Sequence, residues 1–168
     1  MKTQNKIKIL GVGDFAASNS SDEMLKTFGL GSCVAVIILH PATKTAGMVH
    51  VALPESTVSP AKVKSHPGYF ADTGIPALLQ LMATLGCKNG EKGKGMVVKL
   101  AGGAKVLDPD NIFNIGKRNV LAVKKVLWSY GLGPIAEDVG GNFSRTVTVA
   151  MDTGKITLSS PGKKDWHL

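Results

Sequence analysis

Only two cysteines, Cys33 and Cys87, occur among the 168 residues. A dense disulfide framework is therefore excluded, and no cysteine or histidine spacing suits a zinc site. Arginine is as scarce: Arg118 and Arg145 stand alone, so the formal charge of +8 rests on lysine. Aromatic residues make up only 5%. Nucleic-acid readers supply arginine forks and stacking rings, so these two shortages direct the basic surface toward an acidic protein and away from nucleic acid. No apolar run approaches the roughly 18 residues of a membrane span. The stretch Ile9-Leu10-Gly11-Val12 is too short for a signal-peptide core. The expectation is a cytoplasmic monomer without direct membrane insertion, its two thiols kept reduced.

What is present suits a folded α+β domain. Hydrophobic residues reach 43% and charged residues 19%, enough for a sizeable core. Residues 1–160 are expected to form a single domain and 161–168 a loose C-terminal tail. Lys6–Val12 reads as a strand and Ala16–Glu23 as a loop. Two β-branched or apolar runs, Val34–Leu39 and Met48–Leu53, flank turn chemistry at His40–Thr45, which predicts a hairpin. Pro54–Pro67 reads as loop. A helix capped by Asp72 or Thr73 follows, with Pro76 in its first turn. It buries Leu78, Leu79, Leu81, Met82 and Leu85 and stops at Gly86. Asn89–Lys94 reads as a turn, Met96–Leu100 as a strand, and Asn114–Gly131 as a second capped helix. Strands at Ile135–Val139, Phe143–Met151 and Lys155–Leu158 complete the sequence, the last two joined by a turn at Asp152-Thr153-Gly154.

One constellation carries candidate chemistry. Cys33 follows a loop with Gly29 and Gly31, and such glycines let backbone turn sharply and leave amide N–H groups free for a substrate oxygen. His50 lies on the returning strand. If Leu39 pairs with Ala46, Cys33 falls opposite Ala52 and His50 becomes its diagonal neighbour on the same face; a one-residue slip would separate them. A free thiol is little ionised at neutral pH, so an imidazole beside it would supply the base. Thr27 is the nearest group to orient the ring, by hydroxyl or by backbone carbonyl. On residues alone, Cys33 also suits a small buried hydrophobe and His50 a core histidine bonded to backbone. Gly102-Gly103-Ala104 lacks the Lys-Ser/Thr of a phosphate loop. Asn114 to Arg118 suits a helix cap or an anion contact.

The run Thr27 to Val34, with Gly47-Met48-Val49-His50 and Leu53-Pro54, resembles the CheD family of chemoreceptor glutamine deamidases. So do Ala71 to Pro76, Gly102-Gly103-Ala104, Ile115-Gly116-Lys117-Arg118-Asn119 and Glu137 to Asn142, in the same order from about Leu25 to Leu158. Phe28, Ala101 and Ser144 depart from the family pattern and bear on the shape of the substrate site. The resemblance implies a single-domain three-layer α/β/β sandwich with hairpin-rich sheets. It also implies a protein-glutamine glutaminase, a cysteine-dependent amidohydrolase acting on receptor glutamines through a thioester, with receptor methyl-ester hydrolysis in some members. The family's catalytic cysteine, histidine and threonine fall on Cys33, His50 and Thr27. Gly31 and Ser32 would position the oxyanion, and neither metal nor organic cofactor is implied. The implied partners are the cytoplasmic helical domain of a chemoreceptor and, in many members, a CheC-type phosphatase. Two rival readings are a noncatalytic adaptor binding receptor or phosphatase and a basic nucleic-acid-binding domain.

Overall fold

The computed structural model describes residues 5–88, 95–106, 110 and 112–168; the turn expected at Asn89–Lys94 lies outside them. Two mixed five-stranded sheets stack face to face. The first sheet runs β1 (Lys6–Leu10), β3 (Glu23–Leu30), β8 (Arg145–Ala150), β9 (Ile156–Ser159) and β10 (Trp166–His167). The second runs β2 (Phe15–Ser18), β5 (Thr45–Val51), β4 (Val34–His40), β6 (Val97–Gly102) and β7 (Pro134–Val139). Helices α2 (Ala71–Thr84) and α3 (Ile115–Ser129) cover the outer face of the second sheet, and a short α1 (Pro60–Ser65) precedes them. The layers are α/β/β, as expected.

Period-two alternation along β4 and β5 builds both cores from the same strands. Val34, Val36, Ile38, Val49 and Val51 pack against Ile75, Leu78 and Met82 of α2 and Val123 and Leu127 of α3. The opposite face, Ala35, Ile37, Ala46 and Met48, packs against Leu25, Val147, Val149 and Leu158 of the first sheet. Strands buried on both faces read as continuous apolar runs, which is how the hairpin stood out. Its register pairs Leu39 with Ala46 and Ala35 with His50, the parity expected from an even loop.

Several expectations are corrected. Ala16–Glu23 is not all loop, because Phe15–Ser18 pairs antiparallel with β5. The loop expected before Cys33 is strand in part, since β3 carries Thr27 and runs through Gly29 to Leu30. Helix α2 begins at Ala71 without a capping side chain, so Pro76 sits beyond the first turn. Asp72 instead accepts the backbone N–H of Ser56 at 3.0 Å and its hydroxyl at 2.7 Å. Leu81 and Leu85 are only half-buried. Residues 161–168 are no loose tail: Trp166 and His167 pair with Leu158 and Thr157. The Trp166 indole N–H also donates to Asp138 at 2.6 Å. That carboxylate accepts from buried Arg145 at 2.7 and 2.8 Å, which ties β7, β8 and the chain end together across both sheets.

Candidate active site

The chain passes from one sheet to the other between Leu30 and Val34, and Cys33 occupies this corner. Three backbone bonds hold it. Gly31 N–H donates to Gly29 O at 2.9 Å, Ala104 N–H to Gly31 O at 2.7 Å, and Gly103 N–H to Cys33 O at 2.8 Å. Gly102 has φ of +114°, and a Cβ there would run into the Cys33 carbonyl. Glycine is required at that point for two reasons, the positive φ and the close approach. The Gly102-Gly103-Ala104 motif is therefore a brace for the cysteine corner and not a phosphate loop. Beside it, a cavity of about 520 Å³ is lined by Lys105, Val106, Gly141 and Asn142.

His50 is 1% exposed and Thr27 fully buried. His50 comes from β5 in one sheet and Thr27 from β3 in the other, and Thr27 Oγ1 lies 2.7 Å from His50 Nδ1. The same hydroxyl donates to Leu10 O at 2.7 Å. A hydroxyl has one proton; with that proton committed to Leu10, Thr27 must accept from His50, so Nδ1 carries the hydrogen. Nε2 is left as a bare acceptor, buried and without a hydrogen-bond partner. The orienting contact is thus the threonine hydroxyl, and the alternative through its carbonyl is set aside. Backbone bonds from His50 N to Asp14 O at 3.0 Å and from Gly13 N to His50 O at 2.9 Å fix the ring's base.

Cys33 is half-buried and packs against the inter-sheet core, the face to which Ala35 and His50 also belong. Burial pushes its thiol above the usual range, opposed by its own backbone N–H. Burial likewise lowers His50 to about 4, with Asp14 partly opposing. Both shifts favour the neutral forms. At rest the two groups are thiol and imidazole, and His50 Nε2 makes no hydrogen bond to the Cys33 sulfur.

Asn119, on the buried stripe of α3, closes the Ile115 to Asn119 motif of the sequence, where it was given no role of its own. It is completely buried, and its Nδ2 donates to Ser32 O and to Ala52 O, each at 2.9 Å. A signal did exist: an asparagine spaced with Gly116, Val120, Val123 and Leu127 sits on an apolar helical face, where a polar side chain needs partners. Gly31 and Ser32 are half-buried next to Cys33, and the Gly31 N–H is already engaged.

Fold and site define an α/β/β sandwich protein with a half-open thiol at its sheet corner and a threonine-oriented imidazole between its sheets. The family model described as CheD chemotactic sensory transduction matches residues 52–160. The chain is 54% identical over 160 residues to the "Probable chemoreceptor glutamine deamidase CheD" of Syntrophotalea carbinolica, covering 95% of this chain and 98% of that one. It is 42% identical to "Probable chemoreceptor glutamine deamidase CheD 1" of Syntrophus aciditrophicus, covering 92% and 94%. It is 39% identical to the "Chemoreceptor glutamine deamidase CheD" of Thermotoga maritima, covering 92% of each. The chain belongs to the CheD family.

Proposed function

We propose that this protein deamidates glutamine side chains of chemoreceptors, with Cys33 as nucleophile, His50 as proton carrier and Thr27 as the group that orients it. The observation that carries the reading is the free Nε2 lone pair of His50, left by the Thr27 contact on the sheet face that Cys33 shares. A neutral imidazole with one committed nitrogen is what a general base requires.

In the proposed reaction His50 Nε2 takes the Cys33 proton as Sγ attacks the carboxamide carbon. The amide N–H groups of Ser32 and Cys33 receive the developing oxyanion, while Gly31 shapes the corner. The imidazolium returns its proton to the departing nitrogen, ammonia leaves, and a thioester remains. Water, deprotonated by His50, attacks the thioester; Sγ leaves and is reprotonated, and the product is glutamate. A glutamyl methyl ester would pass through the same thioester with methanol leaving instead.

The positive charge carried by lysine suits an acidic helical surface such as a receptor's cytoplasmic domain, which would place the protein in the cytoplasm. Among the described residues no helix is long and apolar enough to cross a membrane. A CheC-type phosphatase is proposed as a second partner on the resemblance alone. The test is mass spectrometry of a receptor cytoplasmic fragment after incubation. The expected result is amide-to-acid conversion at particular glutamines, with ammonia released in equal amount. A receptor fragment left unchanged by folded protein, yet bound by it, would replace the deamidase reading with the adaptor.

A further inference from the structure

The geometry points to Asn119 as a positioning residue for this reaction: a clamp that holds the Ser32 carbonyl in the core and so presents the Cys33 N–H to the reacting sulfur and the substrate oxygen. The inference rests on the proposed role of Cys33. Both partners of Asn119 Nδ2 are carbonyl oxygens, so the nitrogen must occupy that end of the amide, and both of its hydrogens are committed. One carbonyl belongs to the residue before Cys33. The other belongs to Ala52, two residues after His50 and opposite Cys33 in the extended hairpin register. A single buried side chain therefore fixes the two strands where the two reactive side chains emerge.

The peptide joining Ser32 to Cys33 is planar and trans, so its C=O and N–H point in opposite directions. Drawing the carbonyl toward α3 turns the N–H away from the helix layer. Burial holds the Cys33 thiol up, and the Cys33 N–H works against it by favouring the thiolate of its own side chain. An amide aimed at the nucleophile's sulfur also lies beside the carbon under attack, where an oxyanion donor belongs. Helix α3 is held to the same corner by close packing: a Cβ on Gly116 would meet Gly103 and Ala104 carbonyl oxygens at 2.5 and 2.7 Å.

A purely structural residue would be expected to look different. Asn119 Oδ1 is buried without a hydrogen-bond partner, a cost that an aliphatic side chain would avoid. Keeping an amide there is explained by the two donors it sends to Ser32 and Ala52.

The test compares wild-type protein with Asn119→Leu and Asn119→Ser, checked for folding by thermal melts. Kinetics are measured on a receptor cytoplasmic fragment by ammonia release. The expected result is a kcat lower by about 10²-fold with KM nearly unchanged, the size associated with losing one oxyanion donor. Independently of turnover, the pH profile of Cys33 alkylation by iodoacetamide should move to higher pH, because the thiolate loses its aligned N–H. Folded variants that keep the wild-type kcat, change only KM, or leave the alkylation profile in place would overturn the clamp. So would unfolding of both variants, which would make Asn119 a structural tie. Wild-type protein that alkylates normally but releases no ammonia would defeat the deamidase reading instead, and the alkylation profile would still decide the clamp.

Discussion

The β4–β5 hairpin has a histidine, a threonine and a cysteine near each of its ends. At the turn, His40 Nδ1 lies 2.7 Å from Thr43 Oγ1, and that oxygen lies 3.3 Å from Cys87 Sγ. At the open end His50 Nδ1 lies 2.7 Å from Thr27 Oγ1, with Cys33 on the same sheet face. The turn-end trio closes on itself: Thr43 contacts Thr45 at 2.8 Å, and Cys87 is fully buried. Its threonine comes from three residues away in the same turn, and its sulfur is already engaged. At the open end the threonine comes from the other sheet and spends its proton on Leu10. That leaves His50 with a free nitrogen and Cys33 with partial access. Residue type does not separate the two trios; what separates them is which atoms are left unspent.

The largest expected contrast is at the sulfurs. Cys33→Ala should abolish ammonia release from receptor fragment, while Cys87→Ala should keep kcat within about threefold and show itself only as a lower melting temperature. Loss of activity in both, with both folded, would erase the distinction between the ends. The threonines come next. Thr27→Val removes the acceptor that holds the Nδ1 hydrogen and should lower kcat on the order of 10²-fold or more, as for a histidine freed into the wrong tautomer. Thr43→Val should leave kcat in place. Equal activity of Thr27→Val and wild type would mean that the ring needs no orienting hydroxyl.

A smaller difference should appear in alkylation at neutral pH. Peptide mapping after brief iodoacetamide treatment should find Cys33 labelled at least about tenfold ahead of Cys87. The cause is access, since burial raises the Cys33 thiol; its labelling rate should keep climbing with pH beyond neutrality. Faster labelling of Cys87 would reverse the comparison. The mildest effect is on pH dependence. His50 takes up its proton only near pH 4 when folded, against 6.5 for an ordinary histidine. The unfolded chain therefore binds the extra proton across that window, and stability falls as pH drops from about 6.5 toward 4 and is unaffected above it. Chemical denaturation of wild type and His50→Gln across this range should show a shallower decline in the variant. The acid limb of kcat/KM should likewise lie near pH 4, and a limb near 6.5 would mean that the imidazole is solvated in the free enzyme.

The sequence showed more of the site than of the scaffold around it. Cys33 and His50 were placed on one face by loop parity alone, and the observed pairing of Leu39 with Ala46 is the one that argument used. The hairpin was readable because its apolar runs are continuous and its turn sets Pro41 among polar residues. Strand β2 was hidden because Ala16, Ala17 and Ser18 are small and carry little strand preference; pairing with β5 makes them a strand. Trp166 looked like part of a loose tail because its anchor, Asp138, lies 28 residues earlier and is brought near only when the sheets stack. Asp72 resembled a helix cap and instead bonds backward to Ser56, a preference that spacing cannot distinguish.

Local order was thus within the reach of the sequence: strand faces, hairpin register, helical stripes and the candidate pair Cys33 and His50. These depend on periodicity and loop length, which act over a few residues. Only the tertiary structure decided that Thr27 reaches His50 by its hydroxyl, that Leu10 takes that hydroxyl's proton, and that Asn119 holds the peptide of Cys33. The Thr27–His50 and Asn119 contacts join groups from different sheets or layers, and the Leu10 contact joins neighbouring strands of one sheet. Their geometry follows from how the inter-sheet core and the helix layer pack, and a hydrogen bond's direction is settled only when every competing partner is in place.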